Sequence, residues 1–332
     1  MAVYTHLGAE QMAALITHFD VGTLVSAKGI AEGVSNSNWL IETTGRPDRD
    51  GGAGSARFIL TMYEFRIDIG DLPYFLSLLD HLAAHGCPVP RTIHDRDGAL
   101  YRRWPDDSSD KAIALIEFLP GVSVSEPTVG QARATGAELA RLHLTAADFP
   151  ASRANGMGLD EWRRLAAECG PKGLAAIDPW LADLVAAELP RLAAQWPQGL
   201  PAGVVHADLF PDNVLVLGDT VTGLIDFYFA CNDLYAYDLA ITHLAWCWDS
   251  ATGALRDDVS AALVAGYESV RPLSPAERTA LPLLAQGAAM RFILSRAFDW
   301  LNTPTDALVM RKDPLPLARR LVAYRDNPEI FA

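Results

Sequence analysis

The stretch VVHADLFPDNVLVLGDTVTGLIDF, residues 204–227, decides how the chain is read. His206, Asp208, Asp212 and Asn213 stand between two apolar runs, 204–205 and 214–217, and polar residues at that density mark a turn. Residues 214–217 read as a strand, Gly218-Asp219-Thr220 as turn chemistry and 221–225 as the return strand. Asn213 lies six residues before Asp219 and Asp226 seven after it, so the hairpin sets Asp226 beside Asn213 at the open end of the ladder. Asp208 is five residues before Asn213, across a short loop containing Pro211, and reaches the same space. An Asn carbonyl and an Asp carboxylate are hard oxygen ligands that suit Mg2+ when phosphate oxygens complete the set. A further Asp nearby can accept a proton from an attacking hydroxyl. These are the parts of phosphoryl transfer. A polar turn capped by its own Asp and Asn is the plain alternative, but it has no need of His-x-Asp-x4-Asn and an Asp at the end of the return strand together.

Outward from this hairpin the chain changes character. Residues 8–19 put Met12, Leu15, Ile16 and Phe19 on one helical face. A strand near Val25, a stretch of small and polar residues from Gly29 to Asn38 and a strand over 39–43 follow. That glycine-bearing connection either brings backbone N–H groups to phosphates or is an ordinary hairpin. Residues 58–65 read as a third strand and 71–86 as a helix stopped by Gly86 and Pro88. Residues 112–121 read as a buried strand that breaks at Pro120-Gly121. Beyond it the chain reads as helices over 131–146, 160–168, 178–195, 236–248, 257–269, 276–300 and 315–325, interrupted by the β-rich 203–229. With 332 residues there is more chain than one small core organises. The expectation is an α+β fold of two lobes, a small β-rich one over 1–118 and a larger, mostly helical one over 119–332.

The formal net charge of −14 and the scattered arginines argue against a nucleic-acid partner, because an acidic surface repels a phosphate backbone. ATP remains possible where metal ions and a few local donors hold it. Cys87, Cys169, Cys231 and Cys247 form no CxxC pair and have no His at finger-like spacing. They read as reduced packing residues of a cytoplasmic protein. MAVYTHLGAEQM at the start lacks the basic and apolar regions of a signal peptide. No run of 18 uncharged apolar residues calls for a membrane span.

HADLFPDN resembles the catalytic loop of the protein-kinase-like fold, and IDFYFA its metal-binding Asp-Phe-Gly segment, with Tyr228 in place of Gly. LARLH (139–143) and YDLA (237–240) are similar to the aminoglycoside phosphotransferase and choline kinase group. KGIAEGVSNSNWL (28–40), GLIDFYFACNDLYAYDLAI (223–241) and RFILSRAFDWLN (291–302) resemble, within that group, the phosphotransferase-type homoserine kinases of bacterial threonine biosynthesis. The resemblance covers nearly the whole chain. It implies that Asp208 is the catalytic base facing the homoserine hydroxyl and that Asn213 and Asp226 hold Mg2+. It makes His206 a brace of the loop, Asp238 its anchor through hydrogen bonds, and His143 a packing residue beneath it. It also implies that residues 117–120, with Glu117 and Leu119, form a hinge whose backbone meets the adenine of ATP, and that residues 29–38, with Gly33, Ser35 and Asn36, cover the phosphates.

One departure stands out. Kinases of this fold carry a Lys or Arg on the third strand, paired with an acid of the next helix, and in FILTMYEFR (58–66) that position holds Thr61. Arg66 or Lys28 can supply the charge instead, and Lys28 is equally at home as a solvated strand-edge lysine. Asp80 is the candidate helix acid. A zwitterionic substrate needs an Arg for its carboxylate and an acid for its ammonium. Arg291 or Arg296 suits the first role and Asp233, with Tyr235 near it, the second, though ordinary Arg–Asp surface pairing fits them as well. L-Homoserine and ATP are then the small-molecule partners, with no protein partner implied. Two alternatives stay open: another small-molecule kinase, for choline, an aminoglycoside or a sugar, and a nucleotide-binding pseudokinase. Trp39, Trp246, Trp248 and Trp300 keep an aromatic cage for choline in play.

Overall fold

The computed structural model describes residues 7–30, 36–45, 56–64, 67–106, 109–303 and 311–331. The chain separates into two compact units, Met1–Pro120 and Gly121–Ala332. The division falls two residues later than the sequence places it, so Leu119 belongs to the first unit.

The first unit is built on an antiparallel sheet. Strands β1 (Leu24–Ile30), β2 (Asn36–Thr43), β3 (Arg57–Tyr63), β4 (Thr92–Ile93), β5 (Arg102–Trp104) and β6 (Lys111–Glu117) are ordered β1-β2-β3-β6-β4, with β5 also on β6. The period-two alternation of β2 buries Trp39 and Ile41 on one face, with Phe58, Leu60 and Met62 of β3 and Ile113 and Leu115 of β6. Helix α1 (Ala9–Ile16) lays Met12, Leu15 and Ile16 on that face, and Phe19 closes its edge. Helix α2 (Leu72–Ala84) is buried almost all round, with Leu72, Phe75, Leu76, Leu78 and Leu82 enclosed. It stops at Gly86, whose φ of 83° suits a residue without Cβ.

The second unit is mostly helical. Its helices are α3 (Val129–Thr145), α4 (Leu159–Ile177), α5 (Pro179–Gln195), α6 (Tyr235–Trp246), α7 (Asp257–Glu268), α8 (Pro275–Asn302) and α9 (Leu315–Asp326). Capping boxes open α3 at Thr128/Gln131 and α8 at Ser274/Glu277. Helix α4 breaks at Gly170 (φ 62°), just before Pro171. Helices α3 and α7 cross at two glycines. A Cβ on Gly136 would stand 2.1 Å from the Leu263 carbonyl oxygen, and one on Gly266 would stand 2.0 Å from that of Arg133. Only glycine allows backbones this close. Two small sheets complete the unit. One is β10 (Thr220–Leu224)–β9 (Val214–Leu217)–β7 (Val122–Ser123), and the other is β11 (Cys231–Leu234)–β8 (Ala202–Val205). The four cysteines are free and buried. None of the described helices is long and apolar enough to cross a membrane.

Candidate active site

Strand β8 delivers the chain into His206, the loop turns through a short 3-10 segment, Pro211–Asn213, and β9 and β10 form the hairpin that returns to Asp226. The register slips by one residue between Val221 and Gly223. Past the slip Leu224 pairs with Val214, so Ile225 faces Asn213, with its amide 3.0 Å from the Asn213 carbonyl. Asp226 comes next and turns left-handed, with φ 66° and ψ 58°. The Asn213 side-chain amide donates to the Asp208 backbone carbonyl at 2.8 Å, which leaves its Oδ1 as an acceptor. The Leu217–Thr220 pairing continued without a slip would set Leu224 opposite Asn213, so the slip brings Asp226 one residue nearer, and Asp208, Asn213 and Asp226 share one corner.

His206 is fully enclosed and ties the two halves together. Its Nδ1 accepts the Asp208 amide at 3.2 Å, which fixes the ring proton on Nε2, and Nε2 donates to the Ile225 carbonyl at 3.0 Å. Burial pushes its pKa down, so the ring is neutral, and it packs on Phe227 at 4.5 Å. Beneath the loop, Asp238 of α6 accepts the His206 amide on Oδ2 and the Ala207 amide on Oδ1, both at 2.8 Å, and the His143 Nε2 proton at 3.0 Å. Burial works to raise the Asp238 pKa. The hydrogen bond from His143, with help from the His206 amide, outweighs it and holds the carboxyl below its usual range. Ala207 is the second left-handed residue of the site, at φ 63°. Such a backbone in a non-glycine residue costs on the order of 1–3 kcal/mol and persists only where its surroundings fix it.

The carboxylates lean on one another. Burial raises Asp208 to about 7. Arg291 and Lys312 oppose the rise, while Asp226 and Asp212 reinforce it. Burial and the charge of Asp212 raise Asp226 to about 6, although its side chain opens to solvent, and water tempers that effect. Asp212 thus places its charge within reach of both. Nothing in its spacing signals this, because the direction of the 3-10 turn decides where it points. Among the described residues no cluster of three or more His, Cys, Asp or Glu could cage a metal alone. Asn213 Oδ1 and Asp226 instead offer two hard oxygens beside carboxylates that repel each other. That set fits a dication which completes its shell with phosphate oxygens.

The structure sorts the four substrate candidates. Arg291 is 1% exposed. Its guanidinium lies between the rings of Phe229 and Phe292, 5.2 and 4.5 Å from their centroids, and Nη1 donates to the Ala207 carbonyl. This enclosure makes it a brace under the loop and corrects the expectation that it offers itself to a substrate carboxylate. Arg296, further along α8, is half-buried and donates to the Asp313 carbonyl at 3.2 Å. Burial and the cation of Arg320 push its pKa down, against the charges of Asp313, Asp208 and Asp212. Lys312, which the sequence reading passed over, is exposed and acts on Asp208. Asp233 accepts the Asn155 side-chain amide at 2.5 Å and the Leu234 amide at 2.7 Å. Tyr235 stacks on His143 at 4.7 Å, with the Arg271 guanidinium 4.8 Å from its centroid, so it belongs to the scaffold under the loop. Trp246 donates to the Leu209 carbonyl and Trp248 to Tyr324, and both are buried in packing.

In the first unit, Lys28 is exposed on β1 and pairs with Leu40. It shares the sheet face of Asn38 and Thr61, opposite Trp39 and Ile41. Thr61 donates to Asn38 Oδ1 at 2.8 Å, so a neutral pair stands where the fold's strand lysine was sought. Asp80 accepts the Thr92 amide at 3.0 Å and meets His94 Nε2 at 2.5 Å. Asn36 is 6% exposed, and its Oδ1 has no hydrogen-bond partner among the described residues. Glu117 ends β6 and accepts the Arg91 amide at 3.2 Å, with Leu119 two residues on. Gly33 and Ser35 lie outside the described residues, as does Arg66.

A loop anchored by a buried Asp, an Asp–Asn–Asp corner and a hairpin return define a phosphotransferase, and residues 26–273 match the model of the phosphotransferase enzyme family, to which this chain belongs. Within that class it is 48% identical over 332 residues to the homoserine kinase of Caulobacter sp. (strain K31), covering 100% of this chain and 99% of that one. It is 47% identical over 325 residues to the homoserine kinase of Azorhizobium caulinodans, covering 98% and 96%. Among solved structures it resembles a spectinomycin phosphotransferase in complex with ADP and spectinomycin, with a TM-score of 0.70 at 13% identity, covering 98% of this chain and 100% of that one. That likeness speaks for the fold.

Proposed function

We propose that this chain is a homoserine kinase, which transfers the ATP γ-phosphate to the side-chain hydroxyl of L-homoserine and yields O-phospho-L-homoserine on the way to threonine. The observation that carries this reading is the likeness to homoserine kinases along the whole chain. Asp208 accepts the hydroxyl proton. A base whose pKa lies near working pH balances ionisation against proton affinity, and burial of Asp208 moves it that way. Asn213 Oδ1 and Asp226 would hold Mg2+, which when bound neutralises phosphate charge. Lys28, Asn36, Glu117 and Leu119, with Gly33 and Ser35, are the proposed ATP contacts. Arg296 and Lys312 attract the homoserine carboxylate toward Asp208, and Asp233 is the proposed acid for its ammonium. Cations on the Asp208 side disfavour choline and aminoglycosides, which are themselves cationic. The reaction fits a cytoplasmic enzyme working on two small molecules. The test is ATP- and Mg2+-dependent phosphate transfer to L-homoserine, with L-serine, L-threonine and choline as controls. Preference for choline over homoserine would overturn the reading.

A further inference from the structure

Asp238 holds the catalytic loop, and His143 holds Asp238, but the chain of hydrogen bonds does not end there. His143 is fully buried, and both its nitrogens are engaged: Nε2 with the Asp238 carboxylate and Nδ1 with the Tyr267 hydroxyl at 2.8 Å. A carboxylate only accepts, so Nε2 carries the proton; burial lowers the His143 pKa and keeps the ring neutral, so Nδ1 accepts. Its donor is the Tyr267 O–H. The Tyr267 oxygen in turn accepts from Arg271 Nη1 at 3.2 Å, and Arg271 Nη2 donates to Glu277 at 2.8 Å. Every donor in the series is therefore assigned, and all point one way, from Arg271 through Tyr267 and His143 into Asp238. Asp238 receives the His206 and Ala207 amides from the other side.

The backbone fixes the reach of this series. Tyr267 follows Gly266, and His143 lies seven residues after Gly136 on α3. A Cβ on Gly136 would stand 2.9 Å from the Tyr267 backbone nitrogen as well as against Leu263. The glycine crossing of α3 and α7 thus sets the distance at which the Tyr267 hydroxyl meets His143. Arg271 also covers the Tyr235 ring that stacks on His143, which closes the imidazole on its open face.

We propose that Tyr267, anchored by Arg271, is a positioning residue for phosphoryl transfer: it locks His143 in the Nε2–H tautomer and thereby holds Asp238 on the two amides that set the left-handed turn before Asp208. The inference rests on the reading of Asp208 as the base. Tyr267→Phe removes the one donor to His143 Nδ1 and leaves a buried acceptor unpaired. The expected result is a fall of about tenfold in kcat with KM for ATP and homoserine within about twofold, since the contact acts on the reacting geometry and not on binding. Amide hydrogen exchange at His206 and Ala207 accelerates in the variant, and the 15N shifts of His143 lose the single Nε2–H signature. His143→Ala removes the acceptor altogether, so adding Tyr267→Phe to it costs less than about twofold. Wild-type kcat in Tyr267→Phe with unchanged exchange overturns the inference, as does an equal loss in the His143→Ala background. Should Tyr267→Phe fail to fold, Arg271→Gln, which keeps the hydroxyl but loosens it, carries the same exchange measurement, and unchanged loop exchange there overturns the inference too. Exchange needs no turnover, so a wild-type protein inert toward homoserine would sink the substrate reading and leave this one standing.

Discussion

Asp238→Asn is the change that most directly tests how the loop is held. The carboxylate accepts three hydrogen bonds, from the His206 amide, the Ala207 amide and His143 Nε2, at 2.8, 2.8 and 3.0 Å. Asparagine keeps one oxygen. Placed toward Ala207, it leaves the side-chain NH2 facing two donors, the His206 amide and His143 Nε2–H. His143 can escape by shifting its proton to Nδ1, because Tyr267 can accept as well as donate. The His206 backbone amide has no such freedom and is left unpaired. Losing charge assistance in the remaining bonds costs about 1 kcal/mol each, the difference between charged and neutral hydrogen bonds, and an unsatisfied buried donor about 1–3 kcal/mol. The sum, on the order of 3 kcal/mol, falls on the segment that carries Asp208. A loss of about 3 kcal/mol in positioning lowers kcat by roughly two orders of magnitude. The assays are kcat for phosphate transfer to homoserine and the urea unfolding midpoint of the same protein. Both should fall together, whereas Asp208→Asn should lower kcat alone. An Asp238→Asn protein with kcat within about threefold of wild type and an unmoved midpoint would refute the anchoring argument.

Asp208→Ala should lose about 10²–10⁴ in kcat with the fold intact by circular dichroism; an unchanged rate removes the base role. Arg296→Met should raise KM for L-homoserine by roughly 10–100-fold, the worth of one charge-assisted contact, while 3-amino-1-propanol, which lacks the carboxylate, is unaffected. Equal losses for both would move the carboxylate site elsewhere. His243 of α6 is buried between Tyr324 (2.6 Å) and Ser260 (2.7 Å), and burial pushes its pKa down to about 3 from the usual 6.5. The unfolded chain therefore protonates this ring at a pH where the folded chain does not, and stability falls as pH drops through that window. Relative to His243→Gln, wild type should lose about 2 kcal/mol more stability between pH 7 and pH 5, and parallel pH profiles would contradict this.

Local pattern carried far in this chain. His-x-Asp-x4-Asn and the hairpin around Asp219 pointed to one corner, because a two-strand return constrains distance tightly. The slip between Val221 and Gly223 was not legible, since one extra residue, Thr222, shifts the register without any change in the alternation that would announce it. Helix spans came through where apolar periodicity was long, as in α3 and α8, while the short β4, β5, β7 and β11 escaped. Two to four residues held by their neighbours carry no period of their own. Arg291 and Arg296 were indistinguishable as letters five positions apart on a helix, and five residues turn a side chain well away from its predecessor. Only packing reveals that one lies under Ala207 and the other faces Asp313.

The two left-handed residues, Ala207 and Asp226, explain why so much buried polar structure surrounds a small site. Neither position is glycine, so each turn has to be held by something other than conformational freedom. For Ala207 the holders are Asp238 on its amide and Arg291 on its carbonyl, and both are enclosed. For Asp226 they are the preceding Ile225 contacts, with the Asn213 carbonyl on one side and His206 on the other. His206 therefore belongs to both restraints. Its Nδ1 fixes the Asp208 amide after the first turn, and its Nε2 fixes the residue before the second. A neutral imidazole with one donor and one acceptor is the side chain that can do this at both ends at once. Burial keeps it neutral. Asp208 and Asp226, the proposed base and the proposed metal-binding carboxylate, are thus set in register by one uncharged ring, which gives the loop His a structural part in the site.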